Sequence, residues 1–242
     1  MDLIHEQASV GQRWLAERSW LRSQLILLET QALYTHFENR KNIRWFPNRR
    51  CPGPVEHDPD HLCRRFLFLS QLRPEKGFRE AVLASEELPE GCALHVYGPV
   101  MPTTDLSIFK GHNRAEYHGP VSSDKVPDLL RRHDVLVLPT RYVGEGHPGV
   151  IIEALQAGLP VIATRWRSLG EVVVHGSSGL LVEPGSAEDL SEAMRRLVDD
   201  QAYFNELRTG AAERGAFFDS NRWHEHMMDW LHEIAFMGDN QL

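Results

Sequence analysis

Glu145 and Glu153 stand with seven residues between them inside a glycine-rich stretch that runs from Pro139 to Pro160. Arg73 and Lys76 lie three positions apart in a second stretch, Ser70-Gln-Leu-Arg-Pro-Glu-Lys-Gly77. These residue types suit a phosphorylated ligand. Gly144, Gly146 and Gly149 lack a β-carbon, so the loop between the glutamates is expected to reach positive φ and to admit a ligand close to the main chain. Pro148 suits the first position of a following helix, where no N–H is needed. The free N–H groups there, with the helix dipole behind them, favour a diphosphate, and Glu153 on the first turns can accept two hydrogen bonds from a ribose diol. Glu145 would face whatever hangs from the diphosphate. Arg73 and Lys76 can neutralise two phosphates and stabilise a departing diphosphate by fixed charge. Taken singly, the glutamates read as well as a tight turn with a capping acid, and the cations as a solvated basic turn. For His147 two readings stay open: its ring bonds a sugar or phosphate oxygen, or only its amide matters.

These residues need elements to hold them. The short apolar run at 135–138 reads as a strand covered on both faces, and 150–156 as a helix closed by Gly158 and Pro160. The same alternation extends along the chain. Strands are expected at 66–69, 93–97, 115–118, 135–138, 161–163 and 180–182, and helices at 78–85, 126–132, 150–156 and 187–198, the last capped by Ser186. Helices at 203–218 and 223–236 follow. This is the βαβ pattern of an α/β protein with a Rossmann-like parallel sheet and helices on both faces. It puts Arg73 and Lys76 on the same strand-end rim as Glu145, so independent features converge on one crevice.

Residues 1 to about 39 have helical composition, with Trp14, Leu15, Trp20, Leu21, Leu25, Ile26 and Leu28 falling largely on one side of a helix. A strand is expected at 43–46, followed by a proline-rich, charged linker. The expected division is 1–48 as a helical remnant of an N-terminal domain, 49–63 as linker, 64–222 as the Rossmann-like domain, and 223–242 as a C-terminal crossover helix and tail.

Composition narrows the function classes. The chain has 242 residues and a formal charge of -8, which argues against a general nucleic-acid binder. No basic leader and no apolar run near the ~18 residues of a bilayer span is present, so a cytoplasmic protein with at most peripheral membrane contact is expected. Cys51, Cys63 and Cys92 lack paired spacing and read as reduced thiols. His57, Asp58, Asp60, His61 and Cys63 include metal-ligand types without a metal-site spacing, so no metal is expected there. His224 and His226 fall on different helix faces and read as surface residues.

In order along the chain, the Phe-Leu-Ser-x-Leu-Arg-x-x-Lys-Gly stretch, Tyr97-Gly98, Tyr117-His-Gly-Pro-Val121, the paired-glutamate loop, Ala157-Gly-Leu-Pro-Val-Ile-Ala163, Gly170-Glu171 and Gly176-Ser-Ser-Gly-Leu-Leu-Val182 carry a family signature. The set resembles the donor-binding domain of glycosyltransferase family 4, retaining enzymes of the GT-B fold. The resemblance covers about residues 42–237. It implies that Arg73 and Lys76 hold a donor diphosphate and Glu153 the ribose. It also implies that Glu145 and the amides of Gly146, His147, Pro148, Gly149 and Val150 surround the sugar and phosphates, and that the turns at Gly98 and Val121 lie by the base. Transfer would need no metal or other cofactor, the nucleotide-diphosphate sugar being the donor substrate. The acceptor is open. The family's fold also needs a second Rossmann domain, most of which is not recognisable here, so a second chain or a homodimer is a candidate partner. The alternatives are a non-catalytic or partner-dependent nucleotide-sugar-binding half-enzyme and a GT-B sugar-nucleotide epimerase.

Overall fold

The computed structural model describes residue 19 and residues 22–53, 60–102 and 104–239. Trp14, Leu15, Trp20 and Leu21 of the expected N-terminal helix, and His57 and Asp58, lie outside the described residues. The chain forms two compact units, Met1–Pro47 with Trp223–Leu242, and Asn48–Arg222.

In the smaller unit, strand β1 (Ile26–Leu28), helix α1 (Gln31–Phe37) and strand β2 (Ile43–Trp45) form a parallel pair with a helical crossover. The helix expected through Leu25, Ile26 and Leu28 is therefore corrected to a strand. Its backbone is satisfied across the pair instead: Ile26 N donates to Asn42 O and Phe46 N to Leu28 O, both at 2.8 Å. Long-range pairing of this kind overrides the weak local preference of a leucine-rich run. It also gives β2 a sheet neighbour that the sequence did not offer. Thr30 caps α1, its hydroxyl accepting from Leu33 N at 3.3 Å. Helix α7 (Ser220–Asp239) supplies Trp223, which meets Trp45 and Phe46 edge-on, and Trp230, which meets Phe46 in the same way.

The larger unit is built on a six-stranded parallel sheet: β3 (Arg65–Leu69), β4 (Ala93–Tyr97), β5 (Ala115–Tyr117), β6 (Val135–Leu138), β7 (Val161–Thr164) and β8 (Gly179–Val182), in the order β5-β4-β3-β6-β7-β8. Strands β6, β7 and β8 are buried along their whole length, as continuous apolar runs require when both faces are covered. The connecting helices are α2 (Phe78–Ser85), α3 (Val126–Arg131), α4 (Gly149–Gln156), α5 (Ala187–Asp199) and α6 (Gln201–Phe217). Helix α2 packs on α5, and α4 packs on α3 and α6. The α4–α6 approach is close: a β-carbon at Gly215 would lie 2.5 Å from Gln156 N. Ser186 caps α5 as expected, accepting from Asp189 N at 3.1 Å.

The chain lays down β3, β4 and β5 outward in one direction, then returns to the other side of β3 for β6, β7 and β8. The reversal falls between β3 and β6, and the loops leaving these two strands open a crevice there. Buried Asp134 fastens the entry to this pair, its Oδ2 accepting from Arg64 N at 2.8 Å and Arg65 N at 2.7 Å while Oδ1 lies 2.6 Å from His61 Nε2. Burial pushes the Cys63 thiol far above its ordinary pKa, and all three cysteines are free. No helix of the described residues is long and apolar enough to cross a membrane.

Candidate functional site

The loops after β3 and β6 are locked to each other by main-chain contacts. Gly77 has φ of 77°, and a β-carbon there would lie 2.2 Å from Pro139 O. Only glycine both adopts this left-handed conformation and admits the neighbouring carbonyl. One step away, Arg141 N donates to Glu75 O at 2.7 Å. This contact sets the second residue before Gly77 against the second residue after Pro139. Lys76 Nζ donates to Glu145 Oε1 at 2.9 Å and Oε2 at 2.7 Å, and Thr140 Oγ1 donates to Oε2 at 2.6 Å. Tyr142 N returns a hydrogen bond to Thr140 Oγ1 at 3.1 Å.

Both oxygens of Glu145 are thus engaged within the protein. The nearly buried Glu145 carboxylate holds Lys76. The reason is electrostatic, because a carboxylate taken out of water persists only with a cation and hydrogen bonds around it. The Tyr142 ring backs both cations, with Lys76 Nζ 4.9 Å and Arg73 Cζ 5.2 Å from its centroid. Trp166 Nε1 donates to Tyr142 O at 2.9 Å and holds that ring's backbone in place. Arg73 is the more open cation, its Nε 3.8 Å from Glu75.

At the far end of the loop, Pro148 is the N-cap of α4, with φ −61° and ψ 125°, and Gly149 is the first helical residue. The proline stands one place earlier than expected. The glycines also serve differently, since none of Gly144, Gly146 and Gly149 is among the glycines with positive φ. Gly144 and Gly149 give room. A β-carbon at Gly149 would lie 1.9 Å from the Arg50 guanidinium, and one at Gly144 would lie 2.8 Å from the Tyr142 ring. Gly149 and Val150, in the first turn of α4, bring N–H groups that the helix itself cannot satisfy.

Arg50 is the residue that sequence reasoning missed. Its Nε donates to Glu153 Oε1 at 2.7 Å, and its Nη1 donates to Asn48 Oδ1 at 2.7 Å. Asn48 Nδ2 in turn donates to His147 O at 2.8 Å. The main chain of Arg50 is pinned on the other side: its N–H donates to Phe218 O at 3.1 Å, and its carbonyl accepts from Ser220 N and Gln156 Nε2, both at 2.9 Å. A residue expected in a linker is thus held at the mouth of α4. The only sequence signal was Gly149, a glycine at a helix start with no conformational need for one. Arg50, Glu153, Gln156, Val126 and Leu130 line a cavity of about 380 Å³, within the usual range for a small-ligand site. A second groove of about 720 Å³ beside α2 and α5 contains none of the predicted site residues.

His147 is a buried residue of this loop. The ring is fully buried, with Nε2 2.9 Å from Glu171 Oε2 and its edge toward Phe218. The neighbouring Gly146 carbonyl accepts from Ser168 Oγ at 3.2 Å.

The turns after β4 and β5 join the same rim. Gly98 has φ of 143°, and a β-carbon would lie 1.7 Å from Ser70 O. Its N–H donates to Gly119 O at 3.0 Å, and its carbonyl accepts from Tyr117 Oη at 2.9 Å. Val121 packs, partly buried, against the core.

The model of the family described as glycosyl transferases group 1 matches residues 63–200, the span that holds β3 to α5 and the whole loop between the glutamates. The chain belongs to this family. It is 30% identical over 164 residues to an uncharacterised glycosyltransferase of Methanocaldococcus jannaschii, covering 67% of this chain and 45% of that protein. It is 36% identical over 179 residues to the D-inositol 3-phosphate glycosyltransferase of Pseudarthrobacter chlorophenolicus, covering 69% of this chain and 42% of that protein. The chain therefore spans less than half the length of these relatives. The crystal structure of Anabaena HepE in complex with UDP and glucose superposes with a TM-score of 0.72 at 19% identity, over 87% of this chain and 64% of that one, a likeness of fold.

Proposed function

We propose that the crevice between β3 and β6 is the donor site of a glycosyltransferase, which moves a sugar from a nucleotide-diphosphate sugar to an acceptor with retention of anomeric configuration. The observation that carries this reading is the Lys76–Glu145 pair, fixed at the sheet's reversal point and backed by Tyr142, with the open start of α4 in the same loop. In this reading the diphosphate lies between the α4 amides and the cations Lys76 and Arg73. The ribose diol meets Glu153, whose Oε1 Arg50 must then share or release. The apolar wall at Val126 and Leu130 borders the nucleoside.

The bond that breaks joins the sugar's anomeric carbon to the diphosphate, and its electron pair leaves with the diphosphate. Lys76, Arg73 and the α4 dipole stabilise that charge in place, so the proposal invokes no metal at this site. The acceptor hydroxyl arrives on the face the diphosphate leaves and passes its proton to the departing phosphate oxygen. Glu145 acts by holding Lys76.

Calorimetric titration of the full chain with uridine, guanosine and adenosine diphosphates tests the reading. One of them binds, and Glu153→Ala and Lys76→Ala each weaken it. No heat with any of the three at millimolar concentration overturns it. Release of free sugar from a radiolabelled donor then reports chemistry by this chain.

A further inference from the structure

A second cluster of side chains lies on β4 and β5, at the outer edge of the sheet. His95 and Glu116 are register partners on the two strands, and His118 follows Glu116 by two residues. Alternation along parallel strands puts all three on one face. His118 N donates to Val96 O at 2.9 Å, which continues the ladder past the end of β5 and fixes the backbone of the third residue. The result is that His95 Nδ1 lies 2.9 Å from His118 Nε2, and Glu116 Oε2 lies 3.6 Å from the same Nε2. One ligand atom from each residue falls within 4.8 Å of the other two.

The rings are held by aromatic neighbours. Tyr97 stacks on His118 with centroids 4.7 Å apart and planes 14° apart, and His133 meets His95 edge-on at 5.1 Å. His133 is itself anchored, its Nδ1 donating to Leu129 O at 2.7 Å. Two imidazoles and a carboxylate, brought close together by the strand register, form a ligand set of nitrogen and oxygen donors.

We propose that His95 Nδ1, His118 Nε2 and Glu116 bind a divalent late first-row transition ion of the nickel or copper class at this sheet edge. Metal–imidazole bonds of about 2.0 Å to nitrogens 2.9 Å apart enclose an angle of about 90°. That is the cis angle of a tetragonal or octahedral ion. A tetrahedral zinc ion needs the nitrogens about 3.3 Å apart, so it would have to spread the pair. In the empty pair one ring donates its N–H to the other. Binding requires that ring to carry its proton on its other nitrogen, a change of tautomer with no net proton loss. Glu116 is exposed and swings in as the third ligand, with water at the remaining positions. None of the three belongs to the donor site, so this inference stands or falls apart from the proposed function.

The test is calorimetric titration of the full chain with NiCl2, in wild type and in His95→Gln, His118→Gln, Glu116→Gln and His112→Gln variants. His112, 3.3 Å from Glu86, is a histidine–acid pair outside the cluster and serves as the control. The expected result is one site that His95→Gln or His118→Gln weakens about tenfold or more, Glu116→Gln weakens less, and His112→Gln leaves unchanged. His118 is exposed, so its variant decides the matter should His95→Gln fold poorly, as checked by circular dichroism without metal. Nickel affinity in His118→Gln equal to wild type, or no nickel binding by the wild type, overturns the proposal.

Discussion

Glu145 and Glu153 each meet a cation at 2.7 Å, yet the Lys76–Glu145 side chains are 15% and 7% exposed and those of Arg50–Glu153 are 39% and 32%. Equal distances therefore carry unequal consequences. The buried pair has been taken out of water, and each partner depends on the other and on Thr140. The open pair keeps much of its hydration, and water or a diol hydroxyl can replace Arg50 at Glu153 for little cost. One end of the loop is a fixture and the other an exchangeable contact.

Breaking the fixture gives the largest effect. Lys76→Met leaves the Glu145 carboxylate buried without its cation and is expected to cost about 3–5 kcal/mol of stability in urea unfolding, with nucleotide binding lost. The double variant Lys76→Met with Glu145→Met restores much of that stability and none of the binding. A double variant as unstable as the single one shows that packing, and not charge, held the pair. Next in size is Gly77→Ala, which meets both the left-handed φ and the Pro139 carbonyl. It is expected to cost about 1–3 kcal/mol and to weaken nucleotide binding by shifting Lys76. Normal affinity in this variant would separate the loop contact from the site.

The exchangeable end responds least in stability. Arg50→Met and Glu153→Gln are each expected to change unfolding free energy by under about 1 kcal/mol. Their signature is in recognition. Glu153→Gln lowers the preference for a nucleoside diphosphate over its 2′-deoxy analogue, whereas Arg50→Met preserves it. Equal discrimination in wild type and Glu153→Gln, read by calorimetry, removes the ribose from Glu153.

The same contrast separates what the residues revealed in advance from what they concealed. The sheet was legible because 66–69, 135–138 and 161–163 are unbroken apolar runs between helical segments, and the family motifs placed Lys76 and Glu145 on one rim. Their mutual engagement was not legible, since a pairing across 69 positions has no local pattern. Arg50 was hidden by its setting in Arg-Arg-Cys-Pro-Gly-Pro, which carries no periodicity, and it acquires a role only when Phe218 and Ser220 pin it. Strand β1 is three residues long, too short for its period to be told from a helix. The histidine pair, 23 positions apart, exists only through the strand register.

The bridge between Arg50 and Asp219 joins the beginning and the end of the larger unit side by side. A body whose entry and exit touch can be re-spliced: its ends can be sealed by a short glycine linker and new ones opened elsewhere. The exposed Gly111 turn, in open space, offers such an opening. A circular permutant of the larger unit beginning there is expected to keep the contacts of the crevice, with the segment at residue 50 following the segment at residue 219 through the linker.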